Sequence, residues 1–282
     1  MSIHQMNISG LDKVETAIKR IQTFEPPEGY YLAFSGGKDS VVVKKLMDMA
    51  GVKYDAHYNI TSVDPPELVQ FVKTFPDVSR DHQYWKEDGM FHKAGDPITM
   101  WNLIPERKMP PTRLVRYCCS HLKEQSGRNR FVVTGVRHAE STNRKSRGGG
   151  VEVGDSQSIS VKREWLDPDN PDQELIHLCM MKKQRILNPI IDWDDGEVWE
   201  FIREYDVPYC KLYDEGQKRL GCIGCPMGGP SHQRKEFERW PKFRTAYIKA
   251  FERMIKQRLE QRLKTDWEGP EEVMKWWLKE EE

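Results

Sequence analysis

The sequence carries no net charge and no long apolar run. Its 282 residues contain 44 Lys and Arg against 44 Asp and Glu, which argues against a protein held on nucleic acid mainly by bulk charge. No apolar stretch approaches the roughly 18 residues of a membrane-spanning helix, and residues 1–10 lack the apolar segment of a signal peptide. We therefore expect a cytoplasmic protein with no membrane partner.

The chain contains six cysteines, too few for a disulfide-rich scaffold. A chain of this length can bury a full core without a disulfide framework, and cytoplasmic thiols stay reduced. The cysteines are therefore interpreted first as metal ligands, redox residues or buried apolar side chains. The sequence shows no internal repeat and no low-complexity tract.

The order of the predicted elements indicates an α/β fold. Residues 30–34 form a short apolar and aromatic run typical of a buried strand, and a turn, a helix over 41–50 and a strand over 54–60 follow. A strand, a helix and a strand within about 30 residues form a βαβ unit, which implies a parallel sheet with right-handed crossovers. We predict a Rossmann-like parallel sheet with flanking helices.

Further elements extend this pattern. Helices are predicted over residues 9–24 and 67–74, and strands over residues 131–134 and 186–191. Asp194 is predicted to cap another helix, because Glu197 completes a capping-box pattern. Residues 77–111 are expected to form loops with a short helix near residues 98–104, and residues 144–155 are expected to form a mobile loop.

The C-terminal region has a different pattern of residues. From Ser231 onward aromatic and apolar residues recur at helical spacing, which predicts a packing face; they are Trp240, Phe243, Tyr247, Phe251 and Met254. A last helix is predicted after Gly269-Pro270. We therefore predict two domains, an α/β domain over residues 1–230 and a C-terminal helical extension over residues 231–282.

A short segment after the first predicted strand has the chemistry of an anion-binding loop. It comprises Ser35, Gly36, Gly37, Lys38, Asp39 and Ser40. The glycines let the backbone approach a phosphate, and free amides at a helix N-terminus favour an anion. Lys38 adds a positive charge. Neither the Walker A spacing nor the dinucleotide fingerprint is present, and the alternative interpretation is a polar Gly-Gly turn.

This segment resembles the loop of the PP-loop ATP pyrophosphatases, in which an SGGxDS sequence binds the pyrophosphate end of ATP. The resemblance implies a PP-loop (HUP-type) version of the Rossmann-like fold, with ATP bound together with Mg²⁺. It also implies two catalytic residues. Lys38 would stabilise charge on the leaving pyrophosphate, and Asp39 would help to place the metal ion.

Two cysteine pairs could supply ligands to one metal site. Cys118 and Cys119 are adjacent, and Cys222 and Cys225 form a Cys-x-x-Cys pair. Four thiolates suit an iron–sulfur cluster or a structural zinc ion. A Cys-x-x-Cys pair can equally be a redox dithiol, and an adjacent pair can be one buried and one exposed thiol.

The residues around these cysteines resemble the phosphoadenylyl-sulfate (PAPS) and adenylyl-sulfate (APS) reductase family, which shares the PP-loop fold. The matching segments are RYCC at 116–119, GVR at 135–137 with Glu140, Ser141 and Arg144, DWDDGEVWEFIREYDVP at 192–208, and YCKLYDEGQKRLGCIGC at 209–225. The resemblance implies a 4Fe–4S cluster, with zinc as the alternative, held by Cys118, Cys119, Cys222 and Cys225. It also implies anion contacts from Arg137 and Arg144, since arginine makes forked contacts with phosphate or sulfate.

Two departures from that family shift the functional hypothesis. The reductases use a cysteine near the C-terminus, whereas no cysteine follows Cys225 in this sequence, and the loop here is a full SGGKDS. Both features favour ATP as the nucleotide. We expect an enzyme that adenylates an acceptor and transfers sulfur to it. The alternatives are a sulfonucleotide reductase that releases sulfite, and a nucleotide-sensing module with a structural zinc ion.

This chemistry predicts the classes of molecule that bind to the protein, but not the individual partners. We expect an adenine nucleotide, an unidentified sulfur acceptor that is a nucleic acid or a small molecule, and a sulfur donor or thioredoxin-like reductant. A basic edge for an anionic acceptor, or a solvated loop face, could be formed by Arg128, Arg130, Arg137, Arg144, Lys145 and Arg147. The C-terminal helices could bind a partner, form an oligomer or only pack.

Overall fold

The computed structural model describes residues 2–6, 10–140, 151–154 and 184–280. The chain divides into two compact units, each built from several stretches of sequence. The first unit contains Met1–Tyr58, Gln70–Ser79 and Gly127–Leu220, and the second contains Asn59–Val69, Arg80–Ser126 and Gly221–Glu282. The domain division at residue 230 remains a prediction.

A six-stranded sheet organises the α/β part of the fold. Its strands are β1 (Tyr30–Ala33), β2 (Tyr54–Asn59), β3 (Val78–Asp81), β4 (Phe131–Val133), β5 (Val151–Gly154) and β6 (Gln184–Leu187). Their order is β3-β2-β1-β4-β6-β5. β1 pairs in parallel with β2 and β4, and β4 pairs in parallel with β6. The predicted Rossmann-like α/β class is therefore confirmed.

Nine α-helices lie within the described residues. They are α1 (Lys13–Thr23), α2 (Lys38–Ala50), α3 (Pro66–Val72), α4 (Met100–Arg107), α5 (Tyr117–Leu122), α6 (Asp195–Glu204), α7 (Pro230–Arg239), α8 (Pro241–Glu260) and α9 (Pro270–Leu278). The capping box predicted for α6 is present, because Asp194 Oδ1 accepts from the Glu197 amide while Glu197 Oε2 accepts from the Asp194 amide. Such reciprocal bonds satisfy donors that a helix N-terminus otherwise leaves without a partner.

The centre of the sheet is apolar on both faces. Tyr30 and Leu32 of β1 and Val133 of β4 share one face and are fully buried, and Tyr31 of β1, on the opposite face, is buried as well. Such a continuous apolar run is typical of parallel strands covered on both faces. The hydroxyl of Tyr30 donates to the Ile21 carbonyl of α1 over 2.8 Å. The buried phenol therefore has its polar atom satisfied.

The strand order places a topological switch point at β1. The chain leaves β1 through α2 to reach β2 on one side, whereas β4 lies on the other side of β1. In open α/β sheets, ligands bind outside the carboxyl ends of the strands where the order reverses. The loops that follow β1 and β4 therefore define the expected ligand-binding edge.

Three short elements were not expected from the sequence. β3 lies in the stretch predicted as loops, and α5 carries the adjacent cysteines without any predicted helix. β5 occupies residues 151–154 of the predicted mobile loop and pairs antiparallel with β6. β3 and β5 are strands of four residues at the two edges of the sheet, too short to show a periodic pattern. The remainder of the loop at 144–155 lies outside the described residues.

The second unit has its own apolar core around α4, α8 and α9. The aromatic stripe predicted for the C-terminal region packs there, with Tyr247, Phe251 and Met254 buried and Trp240 and Phe243 partly buried. The last helix begins at Pro270, directly after Gly269 as predicted. Within the described residues, no helix combines the length and apolar character needed to cross a bilayer.

Candidate functional site

The loop after β1 turns sharply into α2. Gly36 has a φ of 72°, a conformation that glycine adopts without steric cost. Gly37 is the N-cap of α2 and has extended backbone angles, and no side chain caps the helix from that position. The Ser40 hydroxyl donates to the Gly37 carbonyl over 2.9 Å. The glycine pair thus brings bare backbone to the positive end of a 13-residue helix.

The amides of this turn are available to an anion. Among the described residues, no acceptor is assigned to the amides of Gly36 and Asp39, and the Gly37 amide makes only a 3.4 Å contact with Ser35 Oγ. The Lys38 amide donates to the Tyr213 hydroxyl over 2.9 Å. A helix N-terminus with open amides binds phosphate through those donors and the helix dipole.

Two buried cations and two carboxylates surround the start of α2. Arg137 is 1% exposed. Its Nε donates to Asp39 Oδ1 over 2.6 Å, and its Nη2 donates to Asp195 Oδ1 over 2.6 Å. The Lys38 ammonium lies 3.5 Å from Asp39 Oδ2 and 3.3 Å from Asp195 Oδ1. Each carboxylate therefore faces both cations.

The cations control the protonation of Asp195. Burial alone raises the pKa of this carboxyl, but the hydrogen bond from Arg137 and the charge of Lys38 outweigh burial and hold its pKa below the usual value. Asp195 is thus an anion at neutral pH. The cluster as a whole is balanced, with two positive and two negative groups.

The loop after β4 approaches α2 closely at Gly135. A Cβ atom at this position would lie 2.9 Å from the carbonyl carbon of Asp39. Real Cβ atoms do not approach backbone so closely, so only glycine fits without a shift of either segment. This contact brings the chain from β4 past α2 and allows Arg137, two residues later, to reach Asp39.

The structure brings the loop residues 35–40 and Arg137 close together, while Arg144 lies outside the described residues. Arg137 lies in the buried cluster, not on a solvated loop. Sequence reasoning did not single out Asp195 and Tyr213. Both lie inside segments that carry the family resemblance, but neither the spacing nor the type of these residues marks them as site residues.

The predicted basic edge is only partly present as a free surface. Arg130 donates to Asp55 Oδ2 over 2.9 Å and to the carbonyls of Gly29 and Tyr30. Arg137 is buried, and residues 144, 145 and 147 lie outside the described residues. Arg130 and Arg137 therefore stabilise the fold internally.

The second unit contains all four cysteines proposed as ligands. Cys118 and Cys119 lie in the first turn of α5, and Cys222 and Cys225 flank a tight turn in which the Cys225 amide donates to the Cys222 carbonyl. Cys118 and Cys222 also pack against the apolar core of this unit. The described cysteines, these four and Cys210, form no disulfides.

The turn between Cys222 and Cys225 is braced on both sides. The Ile223 amide donates to the Val63 carbonyl over 2.7 Å, and the Tyr247 hydroxyl donates to the Ile223 carbonyl over 2.9 Å. Gly224 has a φ of 75°, and its amide donates to Glu236 Oε2 over 2.8 Å. These bonds fix the backbone that presents both thiols.

The thiols influence one another electrostatically. The Cys118 thiol donates to Cys119, and this bond, together with burial and the charges of Cys222 and Cys225, raises the pKa of Cys118. The same bond lowers the pKa of Cys119, aided by the positive charge of Lys123. The four thiols therefore share one electrostatic environment, although they come from two distant segments.

The donor chemistry of this environment fits a soft metal or a cluster, since thiolates are the ligands of zinc and iron–sulfur centres. In the part of the chain that the structure describes, however, no group of three or more His, Cys, Asp or Glu side chains is arranged to hold a metal ion. Of the other two cysteines, Cys210 is fully buried and Cys179 lies outside the described residues.

Comparison with known proteins gives a family match over most of the chain. The sequence model of the phosphoadenosine phosphosulfate reductase domain matches residues 29–227. An adenosine 5′-phosphosulfate reductase of Salinibacter ruber is 27% identical over 154 residues, which cover 53% of this chain and 46% of that protein. A probable FAD synthase of Caenorhabditis briggsae is 24% identical over 75% of this chain and 32% of that protein.

The chain spans about a third to a half of the length of the first curated relatives that it matches. Among solved structures, a phosphoadenylyl-sulfate reductase from Candida auris in complex with phosphate is similar, with a TM-score of 0.47 and 15% sequence identity. The match covers 79% of this chain and 98% of that chain.

Proposed function

We propose that this chain, which belongs to the phosphoadenosine phosphosulfate reductase domain family, is an enzyme that binds ATP at residues 35–40 and adenylates an acceptor for sulfur transfer. The observation that carries the proposal is the start of α2, where the open amides of Gly36 and Asp39 lie beside the buried Lys38. Such an arrangement suits a polyphosphate chain. The similarity to a probable FAD synthase supports an adenylyl-transferring activity.

The proposed reaction begins at the α-phosphorus of ATP. An oxygen nucleophile of the acceptor loses its proton to a base or to water and forms a bond to the α-phosphorus. The bond from that phosphorus to the bridging oxygen breaks, and pyrophosphate leaves. The amides of the loop and the Lys38 ammonium stabilise the charge that develops on pyrophosphate.

The surrounding carboxylates position the Lys38 ammonium. Asp39 and Asp195 hold the ammonium from two sides, and Arg137 holds both carboxylates in place. Mg²⁺, when bound with ATP, would supply further positive charge to the β- and γ-phosphates. Of the two carboxylates, Asp195 has the more exposed side chain, at 66% against 19% for Asp39.

The second stage replaces the AMP group by sulfur. A sulfur nucleophile at the oxidation level of hydrosulfide attacks the activated carbon of the acceptor, the carbon–oxygen bond breaks, and AMP leaves with both electrons of that bond. We propose Cys118, Cys119, Cys222 and Cys225 as ligands of a 4Fe–4S cluster, with zinc as the alternative. A bound cluster would supply a thiophilic metal site for a sulfur species.

A binding experiment tests the nucleotide part of the proposal. Anaerobically purified protein is titrated calorimetrically with ATP, AMP, APS and PAPS in the presence of Mg²⁺. ATP is expected to bind most tightly, and Lys38→Met is expected to weaken ATP binding by about tenfold or more through the loss of a charge-assisted bond. Lys45→Met, on the same helix, is the matched control and should bind ATP as the wild type does. Tighter binding of PAPS or APS than of ATP would contradict the proposal.

Product analysis tests the chemistry. With ATP and a candidate acceptor, release of pyrophosphate and AMP is expected. Release of ADP and orthophosphate would show transfer at the γ-phosphorus and would contradict adenylation.

A sulfonucleotide reductase is the second candidate, favoured by the similarity to the Salinibacter ruber reductase. That reaction needs a thiol to attack the sulfonyl sulfur and a reductant to regenerate it. Cys210, the cysteine of the first unit within the described residues, is fully buried, which disfavours it as the attacking thiol. Sulfite release from APS or PAPS in the presence of thioredoxin would identify this activity.

A further inference from the structure

We propose that Tyr213 is a phosphate-contacting residue whose hydroxyl donates a hydrogen bond to the polyphosphate of the bound nucleotide. This inference rests on the proposed function, because it adds a side-chain donor to the same anion site. Tyr213 lies 175 positions after Lys38, in the short 3₁₀ helix Lys211–Tyr213. No property of its local sequence assigns it to the loop after β1.

The hydrogen bonding of the Tyr213 hydroxyl is half complete. Its oxygen accepts the Lys38 amide over 2.9 Å, so the hydroxyl lies directly at the N-terminus of α2. Within the described ranges, its proton has no assigned acceptor. A hydroxyl can donate once and accept twice, so this proton is available to an anion that binds at the open amides of the turn.

The surroundings keep the hydroxyl in its donor form. Burial raises the pKa of Tyr213 to about 12, with the charges of Asp39 and Cys210 adding to the increase and the Lys38 amide opposing it. The phenol is therefore neutral at physiological pH. Donation from the Lys38 amide to the oxygen also polarises the O–H bond, which strengthens a hydroxyl as a donor.

Packing holds the ring in place. The ring of Tyr213 makes an edge contact with Trp199, at 5.2 Å between centroids, and the Lys38 ammonium lies 6.0 Å from the centre of the Tyr213 ring. The Tyr213 amide donates to the Cys210 carbonyl over 3.1 Å. An anchored donor loses little freedom on binding, which favours affinity.

Two other roles for the same contact make different predictions. If the hydroxyl served only as a cap for α2, its loss would weaken every ligand equally through the fold. If it competed with phosphate for the Lys38 amide, its loss would tighten binding of every phosphate ligand. A donor to phosphate instead predicts a loss confined to ligands that carry the polyphosphate.

The experiment compares Tyr213→Phe with Tyr209→Phe. Tyr209 also packs its ring on Trp199, but its hydroxyl bonds to Asp214 at the surface, so it is a matched control outside the anion site. Both variants keep their rings, and a thermal melt of each protein confirms that the titrations are made on folded protein. Calorimetric titrations use ATP, inorganic pyrophosphate and adenosine.

We expect Tyr213→Phe to bind ATP and pyrophosphate about tenfold more weakly, as for a lost hydrogen bond to a charged group, with adenosine binding unchanged. Tyr209→Phe should match the wild type for all three ligands. Unchanged or tighter pyrophosphate binding in Tyr213→Phe would overturn the inference, as would an equal loss for adenosine. If the wild type bound neither ATP nor pyrophosphate, the proposed function itself would fail.

Discussion

The guanidinium of Arg137 and the carboxylate of Asp39 are joined by a 2.6 Å hydrogen bond across 98 positions of sequence. Asp39 lies in the first turn of α2, and Arg137 follows β4, so this bond connects the two loops at the switch point of the sheet. Because Arg137 also donates to Asp195, one buried cation fixes two carboxylates. The shape of the proposed ATP site depends on this bond.

Removing the Arg137 charge is expected to destabilise the protein. Arg137→Met should lower the free energy of unfolding by about 1–3 kcal/mol, because Asp39 and Asp195 would each lose a charged hydrogen-bond donor while still facing Lys38. Arg203→Met, at an exposed position of α6, should change it by less than about 0.5 kcal/mol. Urea denaturation followed by circular dichroism measures both values. Equal stability of the two variants would contradict the structural role assigned to Arg137.

A single methyl group at Gly135 is expected to disturb the same junction. Gly135→Ala would place its Cβ against the backbone of Asp39 and should cost about 1–3 kcal/mol, as overpacking does. ATP affinity should fall with it, because the start of α2 would move. Gly221→Ala is the control, since a Cβ there meets no atom within 4 Å. Thermal melts and ATP titrations of both variants check this expectation, and a wild-type ATP affinity in Gly135→Ala would refute it.

The four cysteines of the second unit are expected to bind a metal or cluster jointly. Anaerobically purified wild-type protein should contain about four iron atoms per chain if a 4Fe–4S cluster forms, or one zinc ion in the alternative. Cys118→Ser and Cys222→Ser should each lose the metal, whereas Cys210→Ala should retain it. Elemental analysis with visible absorption spectra distinguishes the two metals. Retention of the full metal content in both serine variants would show that these residues are not ligands.

The buried Glu236, which accepts a hydrogen bond from the Cys222–Cys225 turn, is expected to make the stability of the protein depend on pH. Burial raises the pKa of Glu236 to about 7, although the Gly224 amide opposes the rise. The folded state therefore prefers the protonated carboxyl. Burial of the protonated Glu236 carboxyl therefore stabilises the fold fully below the ordinary pKa of glutamate. As the pH rises through about 7, this contribution to the free energy of unfolding is lost, a decrease of up to about 3 kcal/mol.

Glu236→Gln tests this dependence because it keeps the shape of the side chain without titrating. The variant should show a flatter dependence of unfolding free energy between pH 5 and pH 8, a range set by the raised pKa of about 7. The His232 ring lies 3.2 Å from Glu236 Oε1, so His232→Ala is measured alongside to show the effect of removing this contact. Glu238→Gln, at an exposed position of the same helix, is the control. If the unfolding free energy of Glu236→Gln depended on pH as that of the wild type does, the pH dependence could not be attributed to Glu236.

Much of the local structure was predictable because its signals lie within a few residues. The Gly36-Gly37 turn, the capping box of Asp194 and Glu197, and the apolar strand at residues 30–33 all depend on contacts between near neighbours in sequence. The short edge strands β3 and β5 were missed, because four-residue strands have too few side chains to show alternation. Arg137 was predicted as a site residue, but its burial against two carboxylates was not.

The sequence by itself determined that a glycine-rich turn follows the first strand and that two cysteine pairs are present, since residue type and spacing decide both features. Only the tertiary structure decided that Arg137 closes on Asp39 and Asp195, and that Tyr213 lies on the Lys38 amide. The physical reason is that these contacts join segments about 60 to 175 residues apart. Their partners are selected by how the sheet and helices pack, and no local pattern of residues encodes that choice.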